Sequence, residues 1–204
     1  MAAQLKTPSK CISSIPGYMT QDETTLEMHC RDRLFRDVSV FDVTNRKEVF
    51  RVTGNGLLSW SLRRSLEDST GKHLLDFRHF SLDVKNRWIV EEPNHERKLA
   101  VIEHVNQLTR SHSAVDATFW GADGGEDAVV EMRPLDRSAM TTTLSIMDST
   151  VAEVSKIADN DIVFNQARGK DRTAWRVRVA ANVDLTIVMV MMLCRAEMSH
   201  VWRQ

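Results

Sequence analysis

Basic side chains recur on three consecutive predicted strands, and their spacing could form a binding site for an anion. The six residues of this set are Arg63, Arg64, Lys72, Arg78, Lys85 and Arg87. Neighbouring strands lie about 4.8 Å apart, so part of the set can gather into one patch the size of a phosphate-bearing head group. Arg63 and Arg64 point to opposite faces of a strand, so not all six can share it. The alternative is a solvated exterior with scattered cations.

The chain carries no sequence motif of a common catalytic site. It lacks a Gly-x-Ser-x-Gly elbow, a Gly-rich phosphate loop and a His-Glu-x-x-His pair. His73 and His79 flank an apolar predicted strand and could lie near Asp68 or Asp76, where a role at the surface or at a strand edge is favoured over catalysis. We therefore expect a protein that is not an enzyme. A triad assembled from distant positions is the alternative.

Two acidic clusters offer oxygen atoms that calcium could bind. They are residues 159–161 (Asp-Asn-Asp) and the group of Asp123, Glu126 and Asp127. Neither cluster has the spacing of a calcium-binding loop, and both fall where turns are expected. We therefore expect neither a metal site nor a cofactor.

Composition and charge narrow the class of partner. The 204 residues have a formal net charge of −1 and a sequence pI of about 6.7, so no global field draws the chain to nucleic acid or to an anionic membrane, and either contact would need a local patch. The three cysteines, Cys11, Cys30 and Cys194, are an odd number without metal-type spacing, which favours a reduced compartment. Residues 1–21 have no apolar core of the kind that a signal peptide needs. We expect a cytoplasmic protein that can associate peripherally with membranes.

The candidate residues lie on a chain that is typical of a long series of short β-strands. Apolar residues alternate with polar ones, as at Leu26, Met28 and Cys30, which predicts strands with one face inward. Turn signals such as Asn55-Gly56 separate the runs. The predicted strands are approximately residues 24–31, 36–43, 46–54, 57–65, 72–80, 84–92, 98–106, 112–121, 127–134, 140–148, 151–158 and 172–180. Regularly spaced short strands predict a sandwich or a barrel.

Residues 185–194 decide between these two architectures, because they are apolar on every side apart from Thr186. This run is too short to span a bilayer, since a helix rises about 1.5 Å per residue and needs roughly 20 residues. We predict a mainly β protein, a closed antiparallel barrel of about twelve strands around this buried C-terminal helix. We expect Asn182 to cap the helix and Asp184 to favour its positive end. A short membrane insertion and a core helix covering a sandwich are the alternatives.

The chain divides into a short tail and one domain. Residues 1–22 are polar, contain Pro8 and Pro16, and show no periodicity, so we predict a flexible N-terminal tail. Nothing inside residues 24–200 has the composition of a linker. We therefore predict a single barrel domain over residues 23–204.

Several short motifs follow one another in order. They are residues 40–52 (VFDVTNRKEVFRV), residues 66–75 (LEDSTGKHLL), residues 87–90 (RWIV), and residues 175–179 (WRVRV) leading into residues 183–185 (VDL). In this order and spacing the chain resembles the LURP-one-related family, within the superfamily of tubby C-terminal domains and phospholipid scramblases, over about residues 24–198. It departs from the family at Asn45, where Gly is usual, and at Glu67 beside Asp68.

The resemblance implies a twelve-stranded barrel around a C-terminal helix, in agreement with the strand pattern. Tubby domains bind phosphoinositide head groups through basic side chains, so it also implies a non-enzymatic module that binds anionic membrane lipid. A protein–protein interaction scaffold is the alternative. The acidic calcium segment of the scramblases has no counterpart in residues 179–182, so neither calcium binding nor scrambling is carried over. We expect a monomer that does not span a membrane and does not bind nucleic acid, with anionic phospholipid head groups or proteins as its partners.

Overall fold

The computed structural model describes residues 3–32, 34–54, 63–80, 87–95, 97–105, 114–120, 127–135, 138, 140–160 and 171–201. Its strands are β1 (Thr24–Cys30), β2 (Asp37–Asp42), β3 (Glu48–Gly54), β4 (Arg64–Asp68), β5 (His73–Phe80), β6 (Arg87–Glu91), β7 (Lys98–His104), β8 (Val115–Phe119), β9 (Ala128–Pro134), β10 (Thr141–Ile146), β11 (Ser149–Asp159) and β12 (Thr173–Val179). One α-helix, α1 (Leu185–Val201), follows them in the described part of the chain.

The twelve strands form one closed antiparallel barrel. Each strand pairs with its neighbours in the chain, and β1 also pairs with β12, which removes the free edges of the sheet. Leu26 lies opposite Val177 and Met28 opposite Trp175 at this closure, and all four side chains are buried. The predicted barrel of about twelve strands is therefore confirmed.

The prediction for the fourth strand was wrong in its position. An apolar run led us to expect a strand at about residues 57–65, whereas β4 is Arg64–Asp68. Residues 55–62 lie outside the described part of the chain. Alternation at Arg64, Leu66 and Asp68 indicates which side chains of β4 face the interior. The side chains of Arg64 and Leu66 both point inward and are buried.

Helix α1 fills the barrel, as the all-round apolar run predicts. The side chains from Val188 to Cys194 are all buried, because the sheet surrounds the helix on every side. The helix continues past the predicted run, and Arg195, Ala196, Glu197 and Met198 are buried as well. No helix in the described residues is both long enough and apolar enough to cross a membrane.

The cap of α1 is Asp184, not Asn182 as we expected. The Asp184 Oδ1 atom accepts hydrogen bonds from the backbone N–H of Thr186 at 2.8 Å and from its hydroxyl at 2.7 Å. Asn182 lies two residues earlier with a φ of 60°, in the turn that leads out of β12. A short polar side chain tolerates that left-handed conformation, which explains the residue type without a capping role.

The segment predicted as a flexible tail lies against the barrel where the structure describes it. Leu5, Ile12, Ile15 and Tyr18 pack on the core, and the backbone N–H groups of Ser14 and Ile15 both donate to Asp184 Oδ2. Asp184 therefore binds the N-terminal segment with one oxygen and caps α1 with the other. The division into a tail and a domain stays a prediction.

The barrel has two ends with different connections, because successive strands run in opposite directions. Helix α1 begins at one end, which we call the entry end, and runs toward the other, which we call the far end. The entry-end connections are residues 43–47, 69–72, 92–97, 120–127, 147–148 and 180–184. The far-end connections are residues 31–36, 55–63, 81–86, 105–114, 135–140 and 160–172.

Candidate functional site

Arg64, one of the six predicted binding residues, points into the barrel. Its side chain is only 2% exposed, its Nη2 lies 2.8 Å from Glu197 Oε2, and its guanidinium lies 4.7 Å from the centre of the Phe77 ring. A side chain enclosed in this way cannot meet a ligand on the outside.

Arg63 and Arg78 lie on the outer face, where they share two carboxylates. Asp76 and Glu91 face each other in the register of β5 and β6. Arg63 lies 3.4 Å from Asp76 and 3.4 Å from Glu91, and Arg78 Nη2 lies 2.5 Å from Glu91 Oε1. His73 Nε2 adds a contact of 3.0 Å to Asp76. Two guanidinium groups beside two carboxylates leave this part of the outer face without a net charge, so it does not form the expected basic patch.

The remaining predicted residues are separated by the length of the barrel. Lys72 is exposed in the turn between β4 and β5, at the entry end. Arg87 begins β6 at the far end, and Arg63 ends a far-end connection. Lys85 lies outside the described residues. The structure thus brings Arg63 and Arg78 together around Glu91, encloses Arg64 and places Lys72 apart from the others.

The sequence reasoning missed a buried polar cluster around Glu197, in the last turns of α1. Glu197 accepts a hydrogen bond from Trp88 Nε1 at 3.0 Å, pairs with Arg64, and lies 2.8 Å from His79 Nδ1. The rings of His79 and Trp88 stack with their centres 4.4 Å apart. The continuation of the apolar pattern to Ala196 and Met198 was the signal that Glu197 belongs inside the barrel.

The electrostatics of this cluster indicate a structural role for Glu197. Burial by itself raises the pKa of a carboxyl group, but the charge of Arg64 and the hydrogen bond with His79 outweigh burial and lower the pKa of Glu197 to about 2. The carboxylate is therefore ionised at every physiological pH. It joins the last turns of the helix to β4, β5 and β6 and does not exchange protons in that range.

The thiols of Cys30 and Cys194 are buried and are poor nucleophiles. Burial raises the pKa of Cys30 to about 12 and raises that of Cys194 well above its usual value. Only a thiolate is a good nucleophile, so neither side chain is reactive at neutral pH. In the described part of the chain, no three His, Cys, Asp or Glu residues are grouped so as to hold a metal ion. The acidic clusters at residues 123–127 and 159–161 lie partly outside that part.

A groove on the outside of the barrel has a volume of about 190 Å³. Lys10 and Ile12 of the N-terminal segment line one side, and Val129, Glu131 and Met147 line the other. Sites for small molecules usually measure roughly 300–1,000 Å³ and enclose most of the ligand. This groove is smaller, and it carries charges of both signs.

The connections at the two ends of the barrel differ in the sign of their charge. In the sequence, the far-end connections contain ten basic and five acidic residues, whereas the entry-end connections contain four basic and seven acidic residues. The two nearly cancel over the whole chain, which hides the difference from a net-charge count. Four of the ten far-end basic residues lie in the described part of the chain, and three of these, Arg31, Arg36 and Arg63, pair with carboxylates.

The model of the family described as LURP-one-related matches residues 24–196. The chain belongs to the LURP-one-related family. The X-ray structure of a protein from Arabidopsis thaliana is similar to the barrel, with a TM-score of 0.63 and 14% identity over 94% of this chain and 99% of that one. At this identity the likeness supports the fold alone. No curated protein matches the sequence.

Membership of the LURP-one-related family bears on the class of function. The family has a tubby-like fold that generally serves as a non-enzymatic binding module. The family motif at residues 66–75 has a structural explanation in this chain. Asp68 accepts hydrogen bonds from the N–H of Thr70 at 2.8 Å and of Lys72 at 3.1 Å, and Gly71 has a φ of 84°. Asp68 and Gly71 thus build the turn between β4 and β5.

Proposed function

We propose that the protein is a non-catalytic binding module that docks on anionic membrane lipid with the far end of its barrel. The family supports the binding-module class. The observation that supports a lipid ligand is the opposite charge of the two ends, with ten basic and five acidic residues in the far-end connections and four and seven at the entry end. A surface of phosphate groups attracts the first and repels the second.

We infer that the far end is better suited to this ligand than the outer face of β4, β5 and β6. The guanidinium groups of Arg63 and Arg78 already lie within 3.4 Å of Asp76 or Glu91. A head group would have to compete with these internal carboxylates. Arg87 begins β6 at the far end, so replacing it changes the charge of that end.

The expected affinity from charge alone is modest. Each basic residue near an anionic membrane contributes about 1 kcal/mol, so an excess of five charges gives up to about 5 kcal/mol. That energy corresponds to a dissociation constant of roughly 0.2 mM. Binding of this kind is reversible, and it weakens at high salt because the Debye length falls below about 10 Å.

Vesicle sedimentation with a pair of charge-reversal variants tests the proposal. Vesicles of phosphatidylcholine are compared with vesicles that also contain phosphatidylserine, at low and at high salt. Arg87→Glu changes the charge at the far end, and Lys72→Glu makes the same change at the entry end. We expect binding to the anionic vesicles only, a loss of about tenfold for Arg87→Glu, and a change of less than about twofold for Lys72→Glu.

Each result decides between the ligands that the sequence left open. Failure of the unmodified protein to sediment with anionic vesicles overturns the proposal and favours a protein partner. Equal losses for the two variants overturn the assignment to the far end. Both variants should unfold cooperatively at the same urea concentration as the unmodified protein, so that a loss of binding is not a loss of fold.

A further inference from the structure

We propose that the groove beside the N-terminal segment binds a peptide segment of a protein partner, one that carries an apolar side chain between Lys or Arg residues. This site is separate from the proposed function at the far end. Its lining residues belong to the N-terminal segment and to the entry-end parts of β9 and β10, and all of them lie in the described part of the chain.

The first argument is that exposed apolar side chains meet at this groove. Val130 lies opposite Ile146 in the pairing of β9 and β10, and both side chains are buried. The next residues toward the entry end, Val129 and Met147, are therefore neighbours across the pair. They are 47% and 62% exposed, and both line the groove together with Ile12. Single exposed hydrophobic residues are normal on a protein surface, but here three apolar side chains share one concave surface.

The second argument is the backbone conformation of Met147. The turn between β10 and β11 has two residues, and Met147 is the first of them, with a φ of 54°. Two-residue turns with a positive φ at the first place usually have Gly there, because a Cβ atom is disfavoured in that conformation. A large apolar side chain stands on the surface here at a cost to the fold, and strained positions of this kind cluster at binding sites.

The third argument is the fixed position of the opposite wall. The backbone N–H of Lys6 donates to the carbonyl oxygen of Thr150 at 2.8 Å, which holds the N-terminal segment beside the same turn. The Ser9 hydroxyl donates to Met147 Sδ at 3.7 Å, and Ile12 packs on the core. Both walls of the groove are therefore in place before a ligand binds.

The volume of the groove determines how much of a partner it can take. It measures about 190 Å³. A cavity of about 150 Å³ holds one benzene molecule, so this groove can accept one aromatic or branched aliphatic side chain. A complete small-molecule ligand usually needs roughly 300–1,000 Å³. The size thus favours a single side chain of a peptide whose other residues lie along the surface.

The charge around the groove selects the other residues of the peptide. Asp127 and Glu131 line the groove, and Asp148 lies in the adjoining turn. Lys10 is the basic residue of the lining, and Glu131 pairs with Arg133 at 3.4 Å. Asp127 and Asp148 are exposed, and neither takes part in an ion pair within the residues that the structure describes. These two carboxylates attract Lys or Arg and repel the phosphate groups of a lipid surface.

A nuclear magnetic resonance titration of the full chain with three short peptides tests the proposal. The peptides are Lys-Lys-Phe-Lys-Lys, Lys-Lys-Ser-Lys-Lys and Glu-Glu-Phe-Glu-Glu, each with blocked ends. We expect the first to shift the amide signals of residues 9–12, 128–131 and 146–148, and to bind about tenfold more tightly than either of the others.

Each other result of the titration overturns the inference. Equal binding of the serine peptide would contradict the apolar contact, and equal binding of the acidic peptide would contradict the preference for basic residues. Absence of shifts at these residues would remove the site. Shifts that appear without peptide as the protein concentration rises would show that a second copy of the chain fills the groove.

Two variants with matched exposure assign the binding to the groove. Val129→Gln places an amide in the lining, and Leu135→Gln makes the same kind of change at the far end, at a residue that is 49% exposed. The first should weaken binding of the phenylalanine peptide about tenfold, and the second less than about twofold. Both should unfold at the same urea concentration as the unmodified protein. Equal losses of binding would contradict the assignment.

Met147→Gly separates a role in binding from a role in folding. Glycine relieves the positive φ, so the urea concentration at the midpoint of unfolding should rise while peptide binding falls about tenfold. Unchanged peptide binding would overturn the place of Met147 in the site. Sedimentation of this variant with anionic vesicles should equal that of the unmodified protein, so failure of the peptide test leaves the proposed function standing.

Discussion

The entry end and the far end of the barrel are built from the same strands but are held together by different contacts. At the entry end, Asp184 joins the start of α1 to the N-terminal segment through hydrogen bonds of 2.8–3.3 Å at the surface of the core. At the far end, Glu197 joins the last turns of α1 to three strands through a fully enclosed ion pair. The comparison teaches that one end fastens chain segments together by hydrogen bonds, while the other joins the helix to the barrel wall through a buried ion pair.

The largest expected effect is the loss of the enclosed charge at the far end. Glu197→Gln leaves the Arg64 guanidinium buried without a compensating charge, so the free energy of unfolding should fall by about 3–5 kcal/mol. Urea unfolding measures the change. The matched control is Glu23→Gln, which removes an ion pair of 2.9 Å with Arg178 near the entry end.

That control pair is exposed to solvent, so it should contribute less than about 1 kcal/mol. A similar small loss for Glu197→Gln would contradict the view that the far end depends on an enclosed pair. Glu197→Leu adds a further reading. The Glu197→Leu variant fills the space with an apolar side chain but also leaves the charge of Arg64 buried without a partner. It should be no more stable than Glu197→Gln.

Acid should weaken both ends, the far end more. The pKa of Glu197 is lowered from 4.5 to about 2, and hydrogen bonds from Thr70 and Tyr18 lower the pKa of Asp68 at the entry end from 3.8 to about 2. A carboxyl group with a lowered folded-state pKa stabilises the fold above its unfolded pKa and loses that contribution as protons bind. The free energy of unfolding should therefore fall between about pH 4.5 and pH 2.

The two carboxyl groups can be separated by measuring this pH dependence in variants. Glu197→Gln should remove the larger part of the slope, because its carboxylate is enclosed, and Asp68→Asn the smaller part, because Asp68 is only half-buried. Equal residual slopes in the two variants would show that burial is not what distinguishes the ends.

The cap at the entry end should have an intermediate effect. Asp184→Ala removes the acceptor for the first turn of α1 and for the backbone of Ser14 and Ile15, and should lower the free energy of unfolding by about 1–2 kcal/mol. The control is Asn182→Gly, which keeps the left-handed backbone available at φ 60° and should be nearly neutral. A larger loss for Asn182→Gly would return the capping role to Asn182.

The smallest expected effect concerns the contact between the N-terminal segment and the barrel. Tyr18→Phe removes the hydrogen bond of 2.7 Å to Asp68 while keeping the ring against Phe50, so the loss should be about 1 kcal/mol. Hydrogen exchange of residues 5–18 measures whether the segment loosens. Unchanged exchange and unchanged stability would mean that Ser14 and Ile15 hold the segment without Tyr18.

The sequence predicts the barrel and its helix well because both follow from local patterns. Alternation at Leu26, Met28 and Cys30 predicts the inward face of β1. Residues 185–194 have no polar side, which predicts that the sheet encloses them. The position of β4 was missed because an apolar stretch before Arg64 matched a strand equally well. The helix cap was missed by two residues, since Asn182 and Asp184 are both good capping types.

The candidate site was less predictable because it depends on long-range pairing. Arg64 and Glu197 are 133 positions apart, and nothing near either residue indicates the other. Arg63 and Arg78 were counted as free cations because Asp76 and Glu91 become their neighbours only in the register of β5 and β6. The opposite charge of the two sets of connections is predictable from the sequence, because alternate connections of an antiparallel barrel lie at the same end and their charges can be added.

The position of α1 in the chain also affects how the protein reaches its native state. The helix follows all twelve strands, and the barrel closes by pairing β1 with β12, about 150 residues further along the chain. During synthesis the strands therefore emerge before the element that fills them, and their apolar inward faces have nothing to pack around. Folding dominated by such distant contacts is slow, and its intermediates expose hydrophobic surface that is prone to aggregate. We expect a newly made chain to depend on chaperones until its final helix has been released.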